Sequence, residues 1–442
     1  MKKRLLLSET IFVSSMLFGL FFGAGNLIFP VLMGQEAGMN VWPASFGFLI
    51  TGVGLPLLAV AALGMTRCDG LFELAGRVGT AYSLFFTCAL YLTIGPFFAI
   101  PRCATVSFTI GVSPILGGES ALWLFVFSVL FFAAVLWFSL HPSGILTWVG
   151  KILNPLFLVF LAILMIRSFV SPMGSVSGIE PMGGYIAAAL PTGFFEGYNT
   201  MDALAGLAFG IIVVTVIKNL GVEEGAPVAA NTILSGFFSC LLMGVIYVLM
   251  ALLGAQSRNI MEACGNGGEA LAKIAEHYFG RYGAFLLAIM VTVACLKTAV
   301  GLVTSCSETF KGMFPNALDE KKWTYVFTGI SFVLANLGLN QIIEFSIPVL
   351  VFLYPLAMVL ILLALSEKIF AGSSLVYKVT IYCTLPVAIC DFINALPFES
   401  ILVGPAQTVI NTLPFGNMGF GWCIPAFAGF VVSFVIAKCR KA

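Results

Sequence analysis

Four residues inside an apolar run, Gly23-Ala24-Gly25-Asn26, most constrain what this chain can fold into. The run reaches from Ile11 to Met33 and is otherwise long and apolar enough to cross a bilayer as one helix. A helix in lipid must satisfy its own N–H and C=O groups, because the hydrocarbon offers no partner. Two glycines, a polar Asn and then Pro30 weaken that arrangement near mid-membrane. Such an interruption is tolerated where it lines a protein cavity, and its freed backbone groups can then hold a ligand. Gly19 and Gly23 alone would read as a small-xxx-small contact that lets two helices approach. Asn26, and a second interruption with a carboxylate, Gly193-Phe194-Phe195-Glu196-Gly197, shift the reading toward a site.

Composition sets the surroundings. Of 442 residues, 60% are hydrophobic and 9% charged, where a soluble chain carries about a quarter charged. Twelve apolar segments are expected to span the membrane: 9–34, 42–65, 78–111, 121–140, 145–169, 185–216, 231–254, 282–309, 323–339, 345–366, 376–395 and 418–438. The third, sixth and eighth are overlong, which predicts tilt, kinks or helical extensions. The N-terminal run is too long for a signal peptide and reads as an uncleaved first helix. The net charge of +1 implies no nucleic acid. Eleven scattered Cys with no C-x-x-C suggest neither a disulfide framework nor a metal site.

Lys and Arg set the orientation. Fifteen of the 21 fall on the side of the N-terminus, including Lys2, Lys3, Arg4, Arg67, Arg77, Lys321, Lys322, Arg440 and Lys441. Four lie opposite (Arg167, Arg258, Lys273, Arg281), and Arg102 and Lys297 lie within spans. This predicts a multi-pass protein of the cell inner (plasma) membrane with both termini cytoplasmic. The external segment from Gly254 to Arg281 reads as partly helical over Glu269–Tyr278, either capping an outer vestibule or solvated.

The two interruptions are five spans apart. Repeats of five spans have opposite topologies, the inverted-repeat plan of many secondary transporters. The expected fold is therefore an all-α integral membrane protein of about 12 helices. It comprises a 5+5 inverted repeat with broken helices 1 and 6 (9–169 and 185–366) and two further helices (376–438). The whole chain, 1–442, reads as one transmembrane domain.

Several segments together resemble one family: FGAGNLIFP (22–30), ASFGFLITGVGLP (44–56), GPFFAIPR (95–102), VSF (106–108), GYNTMD (197–202) and ANLGL (335–339). They are similar to the branched-chain amino acid:cation symporters, the BrnQ-type carriers, from the first span through the tenth. The resemblance implies import of leucine, isoleucine and valine driven by a sodium or proton gradient. It also implies the inverted-repeat fold of neurotransmitter:sodium symporters, in which a Gly-x-Gly-Asn sits at the unwound part of the first span. No cofactor beyond the coupling ion and no obligatory protein partner is expected, and the bilayer is the surrounding medium. The rival reading is a carrier of the same fold for another small apolar or aromatic solute, with protons as the coupling ion.

An amino acid brings a carboxylate, an ammonium and a side chain, and split helices offer something to each. First-turn N–H groups at a positive helix end suit the carboxylate, and Ala24 and Gly25, beside Gly23, let a ligand reach the backbone. Freed carbonyls suit the ammonium or a metal cation: Gly19, Phe21 and Phe22 before the first break, Phe194 and Phe195 near the second. Asn26 offers an oxygen to a cation beside the substrate, as the resemblance suggests. Phe21, Phe22, Phe194, Phe195 and Tyr198 are candidates for an aliphatic pocket or for ordinary packing.

Intramembrane carboxylates are costly and default to function. Glu196 would face the cavity, pair with the ammonium or carry a proton. Asp202 would cap the inner half-helix or pair with a cation. Arg102, near Pro96 and Pro101, is a partner for either acid, and a purely structural ion pair is the plain alternative. The resemblance places a second sodium site between spans one and eight, where Thr298 supplies a hydroxyl, Cys295 a carbonyl and Ala299 no side-chain oxygen. Lys297 stands in for sodium there, coupling transport to protons, or points away and snorkels. There is no G-x-x-x-x-G-K-[ST] for a nucleotide-driven pump, no T-V-G-Y-G for a potassium-type filter, and neither H-E-x-x-H nor G-x-S-x-G for an intramembrane enzyme.

Overall fold

The computed structural model describes residues 4–439 except 67, 69, 117, 119, 142–143, 223–225 and 399–400. Lys2, Lys3, Arg67, Arg440 and Lys441, used above for orientation, lie outside the described residues. The regular elements are helical. In chain order they are α1 (Leu7–Phe21), α2 (Ala24–Ala37), α3 (Val41–Leu49), α4 (Leu55–Thr66), α5 (Leu71–Gly76), α6 (Thr80–Leu92), α7 (Ala99–Gly111), α8 (Ser113–Leu116), α9 (Ala121–Leu140) and α10 (Gly144–Val170). There follow α11 (Ala189–Glu196), α12 (Asp202–Asn219), α13 (Ala226–Ser257), α14 (Gly267–Met313), α15 (Glu320–Ala335), α16 (Leu339–Leu365), α17 (Ser374–Asn394), α18 (Val403–Thr412) and α19 (Cys423–Cys439).

All twelve expected spans fall on these helices or on broken pairs of them. By length and apolarity alone, seven segments of the described residues qualify to cross a membrane, or eight with the bent pair in α12. Part of the difference has a plain cause. The helical stretch 24–66 turns at Gly38, whose φ of 50° only glycine adopts at low cost, so it holds two legs, α2 and α3–α4. The first span is cut to fifteen and fourteen residues by its break.

The overlong spans resolve individually. The third kinks at Gly95 (φ −99°, ψ −121°), beside Pro96, where a π-helical turn joins α6 to α7. The eighth is extended by a helical arm, Gly267 to Gly280, and bends at Gly280 (φ 63°). That arm is packed, not solvated: Ala270, Leu271, Ile274 and Ala275 are buried. The Asn266 side chain caps it by accepting the Glu269 N–H at 3.0 Å.

Close approach of backbones holds the outer half-helices. The whole first span and α13 run in step, as the links Leu5–Asn231, Asn26–Tyr247 and Gln35–Ser257 show. At their contact a Cβ on Gly34 would strike the Ala251 carbonyl, and one on Gly254 the Val31 carbonyl. α11 meets α3 in the same manner: a Cβ on Gly193 would strike the Ala44 carbonyl, and one on Gly47 the Leu190 carbonyl. Without hydrophobic drive inside lipid, such small-residue seams supply much of the packing energy.

Ala at Gly34 or Gly193 must push two backbones apart. We expect each substitution to destabilise the protein by about 1–3 kcal/mol, read as a lower melting temperature in detergent. Ala at Gly301, whose Cβ would meet nothing within 4 Å, should melt like the parent.

Candidate site between two broken helices

The first break is two residues long. α1 ends at Phe21, whose neighbour Phe22 is extended (ψ 100°), and α2 begins at Ala24 after an extended Gly23. In an unbroken helix the Gly23 N–H would reach the Gly19 carbonyl. Here it donates to Asn26 Oδ1 at 2.7 Å, which leaves that carbonyl without its helical donor. Asn26 thus seals the break with its oxygen and turns its amide nitrogen inward. Nδ2 donates to Asp202 Oδ2 at 2.7 Å and contacts the Tyr247 hydroxyl, while the Tyr247 O–H donates to the same Asp202 oxygen at 2.7 Å. Donor and acceptor partners on both ends fix the orientation of the amide. Asn26 and Asp202 are each 1% exposed.

The second break lies lower than the sequence suggested. Gly193–Glu196 is helical in α11, and the chain unwinds only over Gly197–Thr200, a 3₁₀ turn, and Met201, a left-handed residue with φ 61°. Gly193 serves the seam with α3, not an interruption. A Cβ on Gly197 would meet the Thr51 hydroxyl. Thr51 Oγ1 donates to the Phe194 carbonyl at 2.7 Å, so that carbonyl already has a partner. Asp202 opens α12 as its first residue.

Between the breaks lies a narrow cavity. Its walls include Phe21, Gly23, Ala24, Gly25 and Asn26 from the first break, Thr200, Met201 and Asp202 from the second, Arg102 and Cys103 from α7, and Thr298 from α14. Leu20, Ile94, Ala99, Ala205, Phe209 and Leu302 make the remainder apolar. The cavity follows α1 and α12 toward the face where Asn231 holds Leu5 N–H, the face of the N-terminus.

A second, more open cavity lies beyond the 3₁₀ turn and is lined by Phe195, Glu196, Tyr198, Asn199, Ile347 and Met418 among others. Phe194, Phe195, Tyr198 and Phe420 form an aromatic cluster there, with centroids 5.0–5.6 Å apart. The Tyr198 ring stacks on Tyr354 at 3.9 Å and 10°.

The structure therefore splits the expected residues. Gly23, Ala24, Gly25, Asn26, Phe21, Thr298, Arg102 and Asp202 meet at the central cavity. Phe195, Glu196 and Tyr198 line the outer one, while Gly19, Phe22, Phe194, Gly197, Cys295 and Lys297 line neither. The Asn26 oxygen is occupied by the Gly23 N–H and its amide nitrogen by Asp202 and Tyr247. Arg102 pairs with neither acid within 4 Å; its Nη1 donates to the Asn199 carbonyl at 2.5 Å. Thr298 Oγ1 lies 3.8 Å from where a Gly23 Cβ would be and donates to Ala294 at 3.1 Å. Tyr247, Thr51 and Met201 were not anticipated. Tyr247 and Thr51 are lone polar groups in apolar runs, a signal too common to single them out.

Residues 7–440 match the family described as branched-chain amino acid transport protein. The chain belongs to that family. It is 51% identical to the branched-chain amino acid permease BrnQ of Lactobacillus delbrueckii subsp. lactis, with all of both chains covered. It is 42% identical to the BrnQ permease of Bacillus subtilis, covering 100% of this chain and 99% of that one. In fold it resembles Mhp1 in its inward-facing conformation (TM-score 0.63, 15% identity, 97% and 91% coverage) and MhsT in complex with L-phenylalanine (0.53, 15%, 99% and 99%). A family member of this fold is a multi-pass membrane protein.

The Asn26–Asp202–Tyr247 set ties α2, α12 and α13 together. Tyr247→Phe removes one donor to the carboxylate and should lower stability by about 1.5–3 kcal/mol. In a double-mutant cycle, Asn26→Ala should cost less in the Tyr247→Phe background than alone, by more than about 0.5 kcal/mol. Additive losses would show that the three groups do not act as a network.

Proposed function

We propose that this protein is a secondary active symporter importing leucine, isoleucine and valine, coupled to a sodium or proton gradient by alternating access. The observation that carries the reading is the central cavity itself. Two unwound segments, one bearing the Asp202 carboxylate, face each other across a space otherwise walled by aliphatic and aromatic groups. A carboxylate suits an ammonium, and the apolar wall suits a branched side chain. Full-length relatives named as branched-chain amino acid permeases support the substrate class.

The 5+5 arrangement (9–169 and 185–366, with 376–438 added) is supported by the packing of the two broken helices. α2 meets α13 as α12 meets α4, and α1 meets α13 as α11 meets α3, the correspondence that inverted repeats require. The excess of Lys and Arg on the N-terminal side supports cytoplasmic termini in the plasma membrane. In that orientation the central cavity opens inward and the aromatic cluster faces the outside.

Purified protein in liposomes tests this. Labelled leucine should accumulate under an imposed sodium or proton gradient and not without one. Unlabelled isoleucine and valine should block it, while nucleobases and acidic amino acids should not. Block by a nucleobase, with isoleucine inert, would favour the rival solute. Asp202→Asn should abolish uptake, since it removes the charge but keeps the shape.

In our reading the coupling site lies between the first break and α14, near Thr298, with Lys297 outside it. Lys297 is half-buried and borders neither cavity. Lys297→Thr should leave the ion dependence of leucine uptake unchanged. A switch from proton to sodium dependence in that variant would make Lys297 the coupling group.

A further inference from the structure

We propose that Arg102 is the receptor for the substrate carboxylate and sets the selectivity of the cavity for zwitterions; this rests on the reading of that cavity as the amino-acid site. Arg102 sits in α7, one of the most buried helices, and is only 2% exposed. A charge at this depth is rare unless it is paired or has a task. Among the described residues no carboxylate lies within 4 Å of it, although Asp202 shares its cavity. Its contacts are weak compensation for a full charge: the Asn199 carbonyl at Nη1 (2.5 Å), the Met201 thioether at Nη2 (3.6 Å) and the face of Phe29 at 5.0 Å. Nε is buried with no partner.

A guanidinium is a rigid fork whose parallel N–H groups match a carboxylate's two oxygens. An unpaired buried charge is costly, and a ligand carboxylate would recover much of that cost. Asp202 does not fill this role in the structure: its Oδ2 accepts from Asn26 Nδ2 and the Tyr247 hydroxyl. The acid is held on one wall and the guanidinium on another.

Gly25 strengthens the assignment. A Cβ there would come within 3.3 Å of Arg102 Nη1 and of the Phe29 ring. The guanidinium thus stands against the first turn of α2, where the half-helix dipole is positive. Both present positive potential to the same point, and the aliphatic wall begins beyond it. A space with one fixed positive and one fixed negative pole favours a net-neutral solute whose charges sit on adjacent carbons. It disfavours an amine or an acid alone, each of which leaves one pole unpaired.

Titration calorimetry of the reconstituted full-length protein with leucine and with leucinamide, which keeps the ammonium and side chain but lacks the carboxylate, tests this. The parent should prefer leucine by about a hundredfold or more. Arg102→Gln should weaken leucine by about a hundredfold and leave leucinamide within about threefold, so that the preference collapses. Arg102→Lys should restore part of it. A purely structural arginine would weaken both ligands alike, and an unmoved ratio in Arg102→Gln overturns the proposal. If that variant does not fold, the parent decides: a preference under tenfold overturns it equally. A parent that binds no leucine at all fails the reading of the cavity and this proposal with it. A parent that binds leucine, with an unmoved ratio, fails this proposal alone.

Discussion

Everything at the centre of this protein depends on backbone groups finding partners where lipid supplies none. Breaking a membrane helix exposes N–H and C=O groups, each costing several kcal/mol if unsatisfied. The chain answers locally at each break. Asn26 takes the Gly23 N–H, and Thr51 donates to the Phe194 carbonyl. The two solutions differ in origin. The first comes from the broken helix itself, three residues on, and the second from a neighbouring helix that a glycine lets approach. Both leave the cavity-facing side of the break available while sealing the side that faces protein.

The glycine seams give these breaks a rigid frame. α2 cannot drift from α13, nor α11 from α3, without losing contacts that depend on the absence of a Cβ. The unwound residues 197–201 then form a partition. Tyr198 and Asn199 face one cavity, Thr200 and Met201 the other. Met201 accepts a left-handed backbone, a strain of about 1–3 kcal/mol, at the point where the chain must reverse from 3₁₀ turn to α12. Strain stored at a partition between two cavities is characteristic of segments that change conformation.

The first break, the helical class and the family were legible because each rests on a local signal: Gly-Ala-Gly-Asn within an apolar run, long apolar segments, and contiguous motifs. The second break was placed four residues too early. Glycine has two uses in a membrane helix, unwinding and close packing, and sequence alone does not separate them. Gly193 packs and Met201 unwinds, the reverse of what their types suggest. Phe194, Phe195 and Tyr198, candidates by sequence for an aliphatic pocket or for ordinary packing, cluster on the outer side of the partition. The pairing of Arg102 with an acid failed for a different reason. The presence of opposite charges on two membrane spans carries no information on which wall of a cavity each occupies.

That separation of charges is itself costly. Arg102 and Asp202 brought together would neutralise each other's field, whereas held apart they leave a dipole across an enclosed space. The structure maintains the gap actively. Asp202 is anchored from α2 and α13, and Arg102 from the carbonyl of Asn199 in the partition. A protein selected for stability alone would close the pair. One that keeps it open, with each group hydrogen-bonded in a fixed direction, has traded folding energy for a preorganised field that a solute of matching polarity completes.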